Sequence, residues 1–168
     1  REQILRELFE PVREEYDFII VDCPPSLGLL TLNALTGSDY VIIPLQTEFL
    51  AMQGLAKIKQ VIQKVRLRLN KGLEIAGVIA TMYDHRKVLN RDVVETIKKY
   101  FGELVFETMI RDNVALAEAP SRRQDIFDYN AGSSGAEDYL ALSKEIIHRI
   151  ENGITADKSE QTEVSGKQ

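Results

Sequence analysis

Four consecutive apolar residues, Phe18-Ile19-Ile20-Val21, end abruptly at Asp22-Cys23-Pro24-Pro25, and this junction limits the folds open to the chain more than any other feature. A run without polar alternation, rich in β-branched and aromatic side chains, is expected of a strand covered on both faces, as in a parallel sheet flanked by helices. Tyr40-Val41-Ile42-Ile43-Pro44 repeats the buried-strand pattern and is expected to stop at its proline. Between the two runs, Leu27 to Leu35 reads as a short helix, the kind of crossover that parallel neighbours require.

The rest of the chain continues the alternation. Residues 1 to 15 carry Ile4, Leu5, Leu8, Phe9 and Val12 at helical spacing, so a helix with one packing face is expected there. Met52, Leu55, Ile58, Ile62, Val65 and Leu69 step by three or four and predict a long amphipathic helix. Ile75 to Met82 reads as a third strand, Val93, Val94, Ile97 and Phe101 as a helix begun near Asn90, and Val105 to Ile110 as a fourth strand. A short helix is expected over Val114 to Glu118, and Ala136, Tyr139, Leu140, Ser143, Ile147 and Ile150 define a last helix that docks on the sheet. The pattern predicts an α/β fold, a doubly wound and mostly parallel sheet. One domain is expected over residues 1–151, and 152–168, polar and without an aromatic residue, as a flexible tail.

Composition narrows the function classes. The chain has 168 residues, 44% hydrophobic and 28% charged, which suits one globular domain with a real core. Lys and Arg number 21 against 26 Asp and Glu, a net charge of −5, so nucleic-acid binding would need a local basic patch. One cysteine, Cys23, forms no internal disulfide, and His85 and His148 stand apart, so structural zinc is not expected. No apolar run approaches the ~20 residues of a membrane span. The sequence starts without Met and within a helical pattern, which reads as a processed chain or a piece of a longer one.

In an open α/β sheet, ligands bind beyond the carboxyl ends of the strands. Here those positions are Asp22 to Ser26, Pro44 to Thr47, Thr81 to Asp84, and Arg111 to Asn113. An Asp closing a buried strand is placed to hold Mg²⁺ through water, because this hard cation prefers carboxylate oxygen and keeps much of its hydration. Many α/β proteins also end a strand with Asp as a helix cap, so the single residue decides little. The prolines at 24 and 25 remove two backbone donors and preset the loop where a γ-phosphate sensor would lie. Cys23 reads as an inert buried thiol, since no His or Asn partner stands near it. Tyr83 and Tyr139 read as packing residues.

The string from Tyr16 to Gly28, Tyr-Asp-Phe-Ile-Ile-Val-Asp-Cys-Pro-Pro-Ser-Leu-Gly, resembles the Walker B and switch II region of ParA/Soj-type partition ATPases, the deviant-Walker branch that includes MinD. Further blocks follow in the family's order: Leu29 to Leu35 with Asp39 to Gln46, Thr47-Glu48-Phe49 before Gly54-Leu55, Thr81-Met82-Tyr83-Asp84, Glu118-Ala119-Pro120-Ser121, and Gly135 to Leu140. The resemblance covers about residues 1 to 151. It implies a P-loop NTPase-like fold, with Asp22 positioning Mg²⁺ through water and Cys23, Pro24 and Pro25 forming the switch that senses nucleotide state. Met82 and the loop of Arg111, Asp112 and Asn113 would border the adenine; where the family has Pro-Arg-Asn this chain has Arg-Asp-Asn, so only Asn113 carries over cleanly.

The family's Gly-rich P-loop, whose backbone N–H groups and Lys cradle phosphates, has no counterpart here. Gly72 and Gly77 have the spacing, but Val78-Ile79 follow where Lys-Ser or Lys-Thr is needed. The P-loop, signature lysine and switch I Asp of the family lie upstream of Walker B, so the resemblance is to the C-terminal part alone, and this chain by itself is expected not to hydrolyse ATP.

The resemblance also implies an ATP-dependent homodimer, non-specific DNA binding, hydrolysis stimulated by a ParB-type partner, and a cytoplasmic, nucleoid-associated location. Arg86 matches one DNA-binding position of the family, Ala115 replaces an Arg common at another, and Arg122 and Arg123 could compensate. Between Ala51 and Leu73 stand Lys57, Lys59, Lys64, Arg66, Arg68 and Lys71 with no acid, a stripe that suits phosphates or a solvated helix face equally. MinD relatives attach to membrane by a basic amphipathic C-terminal helix; Gly153 to Gln168 lacks an apolar face, so membrane anchoring is not expected. Two rivals stand beside the partition reading: a non-catalytic α/β module that binds a partner without turnover, and a related ATPase that positions another cargo.

Overall fold

The computed structural model describes residues 1–48 and 51–153, the side chains at 51–53 and 55 excepted. The helices and strands follow in the order α1 (Ile4–Phe9), α2 (Leu29–Gly37), β1 (Tyr40–Gln46), α3 (Ala51–Arg68), β2 (Glu74–Thr81), α4 (Val88–Phe101), α5 (Val114–Glu118), α6 (Ile126–Asn130) and α7 (Ser134–Asn152). β1 and β2 pair, and they run parallel: Glu74 N–H donates to the Asp39 carbonyl at one end and Thr47 N–H to the Thr81 carbonyl at the other. The fold is α/β, a parallel sheet with flanking helices. No described helix is long and apolar enough to cross a membrane.

The chain divides into two compact units, Arg1–Val41 with Gln53–Glu74, and Ile42–Met52 with the chain from Ile75 onward. In the first, α1 packs on α2 so closely that a Cβ on Gly37 would sit 3.1 Å from the Arg6 nitrogen. Arg13 grips both carboxylate oxygens of Asp39 at 2.8 and 2.9 Å. The Asn70 amide donates to the carbonyls of Leu35 and Ser38, satisfying acceptors that the end of α2 leaves open. On α3, Ile62 and Val65 are buried, as the periodicity requires; Met52 and Leu55 lie outside the described side chains.

In the second unit, Ile79, Phe106, Ile110 and Leu142 form a core with Leu116 and Ile146 against it. Ala119, Ile126 and Ala136 form another, closed by Ala115, Leu116 and Tyr129. Gly135 lets the Leu116 side chain pack onto α7, since a Cβ there would sit 2.6 Å from Leu116 Cγ and push that side chain aside. Helices α5, α6 and α7 start on side-chain caps from Asn113, Asp125 and Ser133.

Four expectations are corrected. Phe18 to Val21 forms no strand: it hydrogen-bonds to no neighbouring strand among the described residues, and Phe18, Ile19 and Ile20 are exposed, Ile20 at 92%. A fully apolar run is a strand only when neighbours cover its edges and faces. β1 does not stop at Pro44 but runs through to Gln46, and its burial alternates, with Ile43 and Leu45 inside and Ile42 and Pro44 outside. An exposed proline needs no ladder donor on that side. The fourth strand is broken. Phe106 N–H donates to the Val78 carbonyl and Ile110 N–H to that of Ala80, so four residues pass against two and the excess loops out as a bulge. The Glu145 carboxylate accepts the freed N–H groups of Glu107 and Thr108 at 2.9 and 3.0 Å. Finally, the helix of residues 1 to 15 ends as α1 at Phe9 and tightens into one 3-10 turn over Glu10–Val12 at Pro11, with no buried residue. The tail from residue 154 lies outside the described residues.

Candidate functional site

In the first unit, the loop of Asp22, Cys23, Pro24, Pro25 and Ser26 leads into α2. It is tied to the helix by Thr31, whose hydroxyl donates to the Ser26 carbonyl at 2.6 Å, and Gly28, extended at φ −90°, starts α2 without a side-chain cap. The Asp22 side chain is exposed, and no hydrogen bond or ion pair reaches its carboxylate among the described residues. That free carboxylate fits a hydrated Mg²⁺, which takes one or two protein oxygens and keeps its waters. It does not fit an all-protein cage: no group of three or more His, Cys, Asp or Glu could hold a metal among the described residues. Cys23, expected to be buried, is exposed. Partial desolvation, and then the Asp22 charge, push its thiol pKa up, which keeps it protonated and a poor nucleophile.

In the second unit, the carboxyl end of β2 is held by a buried polar latch. Thr47 is 1% exposed and its hydroxyl donates to the Met82 and Thr81 carbonyls at 3.1 and 3.3 Å. Asn90 is 5% exposed; its amide donates to the Thr47 carbonyl at 2.6 Å and its oxygen accepts the Asp84 N–H at 2.9 Å. Tyr83 N–H reaches the Ile110 carbonyl, and Asp112 N–H the Tyr83 carbonyl. Between these anchors Met82 is forced to φ +53° with its side chain half exposed, a conformation an unbranched L residue adopts only under constraint.

Arg111 is committed within the protein. Its guanidinium forks onto Asp138 at 2.7 to 3.0 Å, reaches Glu137 at 3.1 Å, and its own N–H donates to Asp138. These bonds, Asp138 foremost, push its pKa further up. Asn113 caps α5 through its oxygen and donates to the Ser134 hydroxyl at 2.6 Å. Asp112 is exposed beside them. Arg86 forks onto Asp84 at 2.9 Å through both Nε and Nη2, and this pair holds the Asp84 carboxyl well below its ordinary pKa. Arg122 and Arg123 are exposed, the latter at φ +56°. Tyr83 is half-buried, whereas Tyr139, expected to pack, is 43% exposed.

Sequence reasoning missed the partners. Asn90 carried a signal, since it opens the series Asn90, Val93, Val94, Ile97, Phe101, all buried on α4; a polar residue in a core register needs bonds on both sides. Asp138, 9% exposed on α7, carried the same signal.

A parallel sheet with flanking helices is the arrangement of P-loop ATPase-like α/β proteins. Cell division ATPase MinD of Pyrococcus furiosus superposes with a TM-score of 0.71 over 88% of this chain and 59% of that one at 21% identity, a likeness of fold alone. A cobyrinic acid a,c-diamide synthase from Mycobacterium smegmatis, solved with bound ATP analog and magnesium, aligns with a TM-score of 0.57 at 38% identity, over 60% of this chain and 40% of that one. A family model described as AAA domain matches residues 1–75. The sporulation initiation inhibitor protein Soj of Bacillus subtilis is 49% identical over 146 residues, 87% of this chain and 58% of the relative. Over most of its own length the chain is thus of the ParA/Soj type. It spans a little under three fifths of the length of the curated relatives it matches.

Proposed function

We propose that this chain supplies the Walker B and switch II half of a ParA-like ATPase that partitions chromosomes or plasmids. The observation that carries the reading is the Asp22 carboxylate, without a partner among the described residues, on the proline-stiffened loop before α2, in a chain of Soj type. Magnesium bound with ATP would neutralise charge developing on the phosphates. Asp22 would hold it through water, and Pro24 and Pro25 limit the conformations of the loop that senses the γ-phosphate. Met82 offers its half-exposed side chain to the base. Arg111 and Asn113 use their side chains within the protein, so the loop's share in base binding falls to its backbone and to Asp112. In the complete protein, ATP joins two subunits, the dimer holds DNA without sequence preference through Arg86, Arg122 and Arg123, and a ParB-type partner triggers hydrolysis; the protein works in the cytoplasm at the nucleoid.

The first test is a calorimetric titration of the chain with Mg-ATP, with Asp22→Ala as control. The chain alone is expected to give no saturable heat and no turnover. Fused behind the part of Bacillus Soj that precedes its matched region, it is expected to hydrolyse ATP, and Asp22→Ala should lower that rate about 10- to 100-fold. Hydrolysis by the fusion that ignores Asp22→Ala would overturn the assignment. No hydrolysis by a folded fusion would favour a binding module without turnover. Arg86→Glu with Arg122→Glu in the fusion should weaken DNA retention.

A further inference from the structure

We propose that Asn152 and Gly153, where α7 ends, form a self-modification site at which the chain converts its own asparagine into aspartate and isoaspartate, with water as the co-reactant. The inference is independent of the partition reading and needs neither nucleotide nor partner.

The step is an attack by backbone on side chain. The Gly153 nitrogen bonds to the side-chain carbonyl carbon of Asn152 and loses its proton to solvent. The bond from that carbon to Nδ2 breaks, and Nδ2 takes up a proton and leaves as ammonia. Water then opens the cyclic imide at either carbonyl: one opening gives aspartate, the other isoaspartate, with the main chain rerouted through the former side chain. The sum is amide plus water to carboxylate plus ammonium, and nothing is oxidised or reduced.

The attack needs a free nitrogen, an uncrowded approach, and an asparagine whose ψ can leave the helical range. Gly153 follows the last residue of α7 at φ +74°, and its N–H donates to no acceptor among the described residues. Other helix ends are tied: the Gly102 N–H after α4 returns to the Lys98 carbonyl, and the Ala119 N–H after α5 to that of Ala115. Inside a helix ψ is locked because the next N–H is bonded one turn back; at Asn152 that lock is missing. Glycine brings no Cβ to the approach, and the space around Gly153 is open, since even a Cβ built there would meet nothing within 4 Å. Asn152 is exposed, and its amide nitrogen donates to the His148 carbonyl at 2.8 Å and lies 3.0 Å from His148 Nδ1. Water replaces such exposed bonds at little net cost.

The other asparagines fail these conditions. The pair Asn-Gly occurs once in the chain. Asn33 and Asn90 lie inside α2 and α4. Asn70 and Asn113 are bonded through both the oxygen and the nitrogen of the side chain. Asn130, at the end of α6, is followed by Ala131, whose Cβ crowds the approach. At Asn152 the product places a carboxylate on the last residue of α7, where the helix dipole is already negative, so the last turn is weakened. That turn carries Arg149, which holds the carbonyls of Ala76, Leu104 and Val105.

The test is to hold the full chain at neutral to mildly alkaline pH, sample it over weeks, and map its tryptic peptides by mass spectrometry, with isoaspartate methyltransferase labelling beside it. The peptide Ile150–Lys158 should gain one nominal mass unit and split into an aspartate and an isoaspartate form, while the peptides bearing Asn33, Asn70, Asn90, Asn113 and Asn130 stay unchanged. Gly153→Ala should slow the conversion severalfold, and Asn152→Gln, which would have to close a larger ring, should slow it further. Both positions are exposed, circular dichroism checks the fold, and wild type unfolded in urea gives the rate without the helix. An intact Asn152 would overturn the proposal, as would conversion of Asn70 or Asn130 at the same rate. So would aspartate formed without isoaspartate, a rate indifferent to Gly153→Ala, or a rate far below that of the unfolded chain, which would mean that the end of α7 protects the pair.

Discussion

The Arg149 guanidinium lies 4.2 Å from the centroid of the Phe106 ring and donates to the carbonyls of Ala76, Leu104 and Val105. The ring beneath it lies against the Gly77 backbone, where a Cβ would sit 2.5 Å from the ring and 2.8 Å from the Leu104 oxygen. Because that oxygen is backbone, moving the ring alone does not make room. Gly77→Ala is expected to destabilise the fold by about 1–3 kcal/mol, read as a lower urea midpoint at unchanged slope. Arg149→Lys should not preserve stability, since one ammonium cannot serve three carbonyls from a planar fork. Wild-type stability in both variants would show that the stack is incidental.

How much of this was legible follows from where each signal is stored. Helices α3 and α4 and strand β2 are legible because their apolar spacing is a property of the segment itself; α7 is where the sequence places it, but its packing face runs through Ala136, Leu142 and Ile146, while Tyr139, Leu140 and Ile147 of the expected face are exposed. The run Phe18 to Val21 was misread because its strand signal needs neighbours that the described residues do not provide. The bulge after Phe106 was invisible because its cause, Glu145, lies 38 residues further along the chain from Glu107. The strand rule singles out the loops after β1 and β2, but Asp22 follows no strand, and the bonds that engage Arg86, Arg111 and Asn113 depend on tertiary partners.

Asn90 joins the segments at Thr47 and Asp84, and substitution should expose both. Asn90→Ala leaves a buried carbonyl without its donor and an N–H without its acceptor, at a cost of about 1–3 kcal/mol each. Asn90→Asp keeps the acceptor and loses the donor while ionised. Burial raises that carboxyl's pKa, so the variant's stability relative to wild type should recover as pH falls and be lost as pH rises. Denaturation midpoints across pH would check this, and a flat difference would contradict the two-sided latch.

Glu145 gives the native protein its own pH dependence. Burial acts to raise its pKa, but the N–H groups of Thr108 and Glu107, together with Arg149, outweigh it and hold the carboxyl below its ordinary 4.5. A depressed folded pKa contributes stability that is present above the ordinary value and lost as pH falls through the folded one. Glu145→Gln should therefore be less stable than wild type at about pH 7, by about 1–3 kcal/mol, and the gap should narrow below the ordinary carboxyl range. A gap that stays constant down to about pH 3 would mean that the charge contributes nothing to pinning the bulge.

Arg86 enters any duplex contact with its charge already opposed. Its guanidinium is 80% exposed but forks onto Asp84, whose side chain is only 12% exposed, so a phosphate must compete with a preformed bidentate carboxylate. Arg86→Ala alone should then lower the salt slope of duplex binding by less than the ~0.9 of one full phosphate contact. Asp84→Asn keeps an oxygen for the Arg86 N–H, removes the competing charge, and should tighten binding at low salt. Adding Arg86→Ala to Asp84→Asn should cancel that gain. If Asp84→Asn tightens binding equally with or without Arg86, the effect is net charge, and Arg86 is no DNA contact.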